Sequence, residues 1–450
     1  MKRLVRVCAA LALVTLFVAS AAFFRRVPDP IFEGRLTSEW TRDLLSSDYN
    51  IRHEAQTALR ILGEPAVPQL RNLLRRRNGP WEKPLARIAP ILPFYEYRAI
   101  DANIARIRAA EMLAMLGPTA QSASPDLVSA LAYEQSAHEA ERALIHIGNS
   151  VVTHLERGLA SGHISVRVRS ARLLREFSPA AESSISSLIA VTDDESPRVR
   201  AEAALSLGKI APTSSAVPSI LSLTRDKYPF VRAAAFESLG HLDNAITPEV
   251  FTSLNKGLRD PDRSVVLHAA KSLWLLKQDP SALVPVLTPL LITPECWRAA
   301  YLLGEIGAHA APAIPALARL LSEERVPRPF RTPPSSAFAL GKIGAAALPE
   351  LLVLLEDPDV RIRMNVLMAL GFMGAEGKEA IPQLLKHLQD RDSEVRHTTA
   401  LTLASIGAEP AQIITPLSDC LRAEDIYMRS AAAAVLRKIA PEGEWYVAAE

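Results

Sequence analysis

Four histidines, His138, His146, His154 and His163, recur every eight or nine residues. Two ligands share one helix face at a spacing of four, so this run does not build a helical metal site. The chain carries no glycine-rich phosphate loop, no G-x-S-x-G elbow and no metal-spaced Cys/His set. The acidic pairs Asp193-Asp194 and Glu323-Glu324 fall in turns, where solvation accounts for them. Cys8, Cys296 and Cys420 lie far apart, with no CxxC pair, and the last two read as buried free thiols. No catalytic residue, cofactor or small-molecule substrate is therefore expected. With 51 Lys and Arg against 49 Asp and Glu, the net charge of +2 also gives no reason to expect nucleic acid. The side chains that do recur are arginine and aspartate, and their spacing leads to the elements that hold them.

Arg396, in "DRDSEVRHTTALTLASIG", sits in the first turn of a helix, where the macrodipole disfavours a cation. With that arginine as position zero, the same pattern recurs at Arg52, Arg200, Arg232, Arg363 and Arg429. Weaker copies centre on Arg106 and Arg167, and four more keep the pattern without the arginine, at Ala137, Val266, Cys296 and Pro333. From 106 to 429 the interval averages about 32 residues, the signature of stacked helix pairs. In each unit a first helix such as "AIPQLLKHLQD" starts near a proline, which is tolerated in a first turn. The second helix then places apolar residues at about −1, +3, +4, +7 and +10, one helical face. Small residues at +3, +4 and +8, such as Ala203, Ala204 and Gly208, allow close helix approach. Glycine at +11, as in Gly344, Gly374 and Gly407, stops the helix. No stretch reads as strand. The expected fold is all-α, an α-α superhelix of about twelve helical hairpins over residues 40–440.

Position −4 is an N-cap, filled by Asp48, Ser196, Asp262, Asp359, Asp392 and Asp425. Position −6 is aspartate at Asp194, Asp226, Asp260, Asp357 and Asp390. An arginine beside these carboxylates offsets the dipole by pairing in its own turn or in the neighbouring repeat, and its planar fork suits bidentate bridging. Asp194, Arg200, Asp226, Arg232, Asp359, Arg363, Asp392, Arg396, Asp425 and Arg429 are thus read as a structural ladder.

The turn aspartate, the "V-R" and the "A-A-x-x-L-G-x-I-G" tail resemble HEAT repeats of the short, phycobilin-lyase-like type, across residues 40–440. After the start of a lead-in segment at 27–39, the stretch "IFEGRLTSEWTRDLLSSD" is similar to the lead-in of exported bacterial HEAT proteins. The resemblance implies a binding surface rather than one chemistry. One enzyme family built on such repeats, deoxyhypusine hydroxylase, binds a di-iron centre through His-Glu pairs. Here His53-Glu54 and His138-Glu139 occupy the matching positions, +1 and +2. Four pairs are needed, and His397 is followed by Thr398. At about 8–10 Å per packed helix the two pairs lie roughly 20–40 Å apart, too far to share a metal centre.

Three segments break the pattern. Residues 1–26 join a basic start to the apolar run at 7–24, with Ala19-Ser20-Ala21 as a cleavage site; a signal peptide and an N-terminal membrane anchor both fit. Export to a bacterial cell envelope, periplasmic or membrane-anchored, is the expectation. The first interval is 54 residues long, and its insertion at 75–98 interleaves Arg75, Arg76, Arg77, Lys83, Arg87 and Arg98 with Trp81, Phe94, Tyr95 and Tyr97. Such a mixture suits a partner protein or an anionic membrane surface, and equally a cap packed over the first repeats. A proline-rich insertion at 322–336 sits where the anchors have lost their arginines, so the stack is expected to bend locally. Residues 441–450 form a tail. The reading is a non-catalytic scaffold for a protein partner; the alternatives are an iron-dependent hydroxylase or lyase and a self-associating envelope component.

Overall fold

The computed structural model describes residues 29–77, 101–210, 215–242, 247–324, 333–422 and 426–439. It divides into two compact units, residues 1–223 and 224–450.

The lead-in forms a two-strand antiparallel ribbon, β1 (Ile31–Phe32) and β2 (Arg35–Leu36). This departs from the strand-free expectation. The reason is local: Glu33 and Gly34 both adopt positive φ, 50° and 75°, which turns the chain tightly. The ribbon is pinned to α1 (Thr37–Asp43) where Trp40 Nε1 donates to the Phe32 carbonyl at 3.2 Å.

The rest of the first unit alternates first and second helices: α2 (Tyr49–Leu62), α3 (Val67–Leu74), α4 (Ala102–Leu116), α5 (Ser124–Ala130), α6 (Glu134–Ile147), α7 (Val152–Leu159), α8 (Ile164–Glu176), α9 (Ile185–Ala190), α10 (Pro197–Ile210) and α11 (Val217–Leu223). The second unit continues with α12 (Pro229–Leu239), α13 (Pro248–Gly257), α14 (Arg263–Leu275), α15 (Val284–Leu287), α16 (Cys296–Ile306), α17 (Ile314–Glu323), α18 (Ser335–Ile343), α19 (Leu348–Leu354), α20 (Val360–Met373), α21 (Ile381–His387), α22 (Ser393–Ile406), α23 (Pro410–Cys420) and α24 (Ile426–Ile439). The fold is an all-α, HEAT-type solenoid. Among the described residues no single helix is long and apolar enough to cross a membrane.

Several links between repeats use the same chemistry. A glycine at +11 takes positive φ (83° at Gly344, 61° at Gly374), which a side chain resists. A 3-10 turn follows, and the next first helix opens on a proline, as at Pro349 and Pro382. Leucine fills +7 in all twelve units, from Leu59 to Leu436, and every one is essentially buried. Each such leucine contributes about 1.5–3 kcal/mol by leaving water.

Glycine at position +8 allows close approach of successive second helices at several links. A Cβ on Gly240 would meet the Ser272 Cα at 2.9 Å, and one on Gly304 the Ala339 Cα at 3.0 Å. These glycines let α12 pack along α14, and α16 along α18. Between them the rule is broken: +8 of α14 is Trp274, and α14 and α16 touch at only a few points. The same holds in the first unit, where Ile145 occupies +8 of α6 and its stacking on α8 is sparse. Bulk alone does not decide this, since Arg175 holds the same position in α8, which still packs along α10; the open links coincide with the stiff side chains Trp274 and Ile145.

Candidate partner-binding surface

The first-turn arginines hold two things at once. Arg232 forks onto the Asp260 carboxylate through Nε and Nη2, at 2.8 and 2.7 Å, while Nη1 donates to the carbonyls of Asp226 and Lys227 at 2.9 and 3.3 Å. Arg363 repeats this with Asp390, at 2.9 and 2.8 Å, and the carbonyls of Asp357 and Pro358. Arg167, the weaker copy, does the same with Asp194 and the Ser161 carbonyl. Arg52, Arg200 and Arg396 make the carbonyl contact at Ser46, Asp194 and Asp390. The carboxylate that takes the fork is the −6 aspartate of the next repeat. The −4 aspartates do something else: Asp392 accepts the N–H groups of Glu394 and Val395, and Asp359 caps Arg361 N–H and pairs with its side chain. Asp226 accepts the Tyr228 N–H, Arg429 lies on α24, and Asp425 falls outside the described residues. Arg167, Arg232 and Arg363 thus stitch one repeat to the next.

The other residues singled out by sequence are scattered. His53 is exposed and stacks on Tyr49 at 5.8 Å; Glu54 beside it is also exposed. His138 is exposed, and Glu139 faces Arg142 at 2.9 Å. Among the described residues no three His, Cys, Asp or Glu side chains converge to hold a metal. Arg75 stays half exposed while, together with Arg71, it clamps Asp126, with both Nε atoms at 2.6 Å. Arg76 offers its carbonyl to Arg106 at 2.6 Å, and Arg77 is exposed. Trp81, Lys83, Arg87, Phe94, Tyr95, Tyr97 and Arg98 lie outside the described residues, as do residues 1–28. Cys296 and Cys420 are free but half-buried rather than buried, and burial pushes both thiols up from their ordinary value. Glu324 is more than a solvated turn acid, since it accepts from the hydroxyls of Ser335 and Ser336 at the start of α18.

The surface that stands out lies where Trp274 opens the stack. A cleft of about 590 Å³ runs between α14 and α16. Trp297, Tyr301 and Glu305 stand one above another on α16, four residues apart, and Leu275 faces them from α14. Trp297 is 56% exposed, Tyr301 53% and Leu275 44%, an unusual outlay of apolar area for one patch. The aromatic stripe continues along the stack: Tyr301 lies parallel to Phe338 at 5.0 Å, and Phe338 meets Phe372 edge-on at 5.7 Å. Arg298 sits 5.0 Å from the Trp297 ring. The corresponding face of the first unit is different, with Arg169 and Arg172 closed onto Glu141 at 2.5 and 2.6 Å. Sequence reasoning found the broken ladder here but missed the aromatic stripe; the tryptophan at +8 was the available signal.

His268 on α14 forms part of the cleft, its Nδ1 3.5 Å from Glu237, whose other oxygen is 3.8 Å from Lys271. Burial holds its pKa below the ordinary histidine value, with Arg298 and Lys271 adding to the effect and Glu237 opposing it. Because the folded value is depressed, the stability that depends on neutral His268 is complete above about pH 6.5 and is lost as pH falls through the folded pKa. We expect the thermal midpoint of a His268→Gln variant to fall less steeply than the native chain's between pH 7.5 and 5. Identical slopes would remove His268 from the account.

Known proteins place this geometry. Among curated proteins none matches in sequence. Kap95p, in a structure describing its binding to RanGDP, is 16% identical with a TM-score of 0.55, covering 90% of this chain and 60% of that one. Importin beta is 13% identical with a TM-score of 0.53, covering 91% and 56%, and Kap95 in complex with Nup1 is 15% identical at 0.50, covering 90% and 56%. This chain thus spans less than two thirds of those solenoids, and the likeness is one of fold. The family model of HEAT repeats matches residues 152–240, 185–274, 335–404 and 376–437, which together make up half of the 450 residues. With the leucine columns, the arginine ladder and the helix pairs all in that register, the chain belongs to the HEAT-repeat family.

Proposed function

We propose that this protein is a non-catalytic scaffold that binds a protein partner through the second-helix face of its second unit. The observation that carries this reading is the cleft between α14 and α16, where Trp297, Tyr301 and Leu275 are held exposed on rigid helices. Exposed aromatic side chains on a preformed surface are the usual anchors of protein interfaces. The karyopherin solenoids that share the fold are described in complexes with RanGDP and Nup1, which is in keeping with a protein partner. The basic, aromatic insertion at 75–98 supplies a second contact, and the apolar run at 7–24 supports export to the cell envelope, cleaved or retained as an anchor.

The test is to isolate tagged full-length protein from its own envelope fraction under mild extraction. The native chain should carry a stoichiometric partner. Trp297→Ala with Tyr301→Ala should lower its yield about tenfold or more, since central aromatic anchors each contribute about 2 kcal/mol. Equal recovery with the double variant would exclude the cleft. Equal recovery after deleting residues 75–98 would exclude the insertion.

A further inference from the structure

Resting on that reading of the cleft, we infer that its occupant is a proline-rich segment of the partner in extended, polyproline-type conformation. The charges around the cleft cancel: Glu237 and Glu305 against Lys271 and Arg298, with His268 neutral. Glu237 already faces Lys271 at 3.8 Å. A strongly charged segment of either sign therefore meets like charge at one end, and an uncharged one meets none.

The polar groups at the cleft point the same way. The indole N–H groups of Trp274 and Trp297 and the hydroxyl of Tyr301 have no hydrogen-bond partner among the described residues. They offer donors beside flat aromatic faces. Proline matches that combination, because it presents a carbonyl acceptor and an apolar ring and has no backbone N–H to satisfy.

The experiment uses the full chain and fluorescein-labelled dodecapeptides read by anisotropy at 0.15 M salt. The probes are a Pro-Pro-Leu repeat, the same sequence with proline replaced by alanine, and an amphipathic Lys/Leu helix. The proline peptide should bind about tenfold more tightly than the alanine one. Trp297→Ala should weaken it about tenfold, as expected for an aromatic anchor. Tyr301→Phe keeps the ring and removes the donor, so it should cost about threefold to tenfold. Glu305→Gln should change little. Circular dichroism melts confirm that each variant is folded. Equal binding of the alanine peptide, no measurable binding of the proline peptide, or preference for the Lys/Leu helix with loss on Glu305→Gln, overturns the inference. If the native partner depends on Trp297 and Tyr301 but the proline peptide does not displace it, the proline assignment fails and the scaffold reading stands. If the partner ignores both side chains, the cleft itself is the wrong site.

Discussion

Replacing Asp390 with alanine should destabilise the second unit by about 3 kcal/mol, the cost of stripping one partner from a buried ion pair. The pair lies at the rim: the Arg363 side chain is 11% exposed and that of Asp390 8%. Removing the carboxylate strands Nε and Nη2 of Arg363, while Nη1 keeps the carbonyls of Asp357 and Pro358. It also deletes the acceptor for the Asp392 N–H, at 2.9 Å, which shapes the turn before α22. Asp390→Asn restores that acceptor without the charge and should cost less. Asp390 contributes to acid sensitivity as well. Burial pushes its pKa up, but the Arg363 fork, the Asp392 N–H and His387 outweigh this and hold it below the ordinary carboxylate value. Its stabilisation is therefore complete above about pH 4 and is lost as pH falls through the folded pKa. Because repeats interact with their neighbours, the loss should be local. Hydrogen exchange should rise in α20 to α22 first, and unchanged protection there would show that the ladder is ornamental.

Much of this was legible before any coordinates. The leucine column at +7 recurs in all twelve units and the glycine stop at +11 in seven, so each copy corroborates the rest. Arg232 and Arg363 were visibly misplaced against the helix dipole, and that pointed to compensating carboxylates. Which carboxylate was not legible: Asp260 and Asp262 both sit in the turn before Val266, and only the stacking decides that Asp260 receives Arg232. The site was harder for a related reason. Trp297, Tyr301, Phe338 and Phe372 come from three helices and form one stripe only when those helices stack. The ribbon at Ile31–Leu36 was missed because two residues per strand leave no alternation to read. The ion pair of Arg75 with Asp126 was not legible because the two lie 51 residues apart.

The rule at position +8 gives the second large effect and ties packing to the cleft. A Cβ on Gly341 would press on the Phe372 Cβ, on the Ala369 carbonyl oxygen at 2.6 Å and on the Met373 backbone nitrogen at 3.1 Å. Two of these are backbone atoms of α20, which cannot rotate away. Gly341→Ala therefore sets overpacking of about 1–3 kcal/mol against a helix-propensity gain of about 1 kcal/mol, and should be mildly destabilising. Gly341→Leu should cost about 3 kcal/mol and force α18 from α20. Gly371 is the control: it occupies the same position one repeat on, and a Cβ there meets nothing within 4 Å. Gly371→Ala should stabilise by about 0.5–1 kcal/mol. Opposite signs for these two alanines in thermal unfolding would establish that +8 acts through the facing helix rather than through propensity; matching signs would refute it. The same logic runs in reverse at the cleft. Trp274→Gly restores the residue that +8 holds in α12, α16, α18 and α20, so α16 should close onto α14 and partner binding should fall. Trp274→Phe, still bulky, should keep the cleft open and separate loss of the gap from loss of a contact.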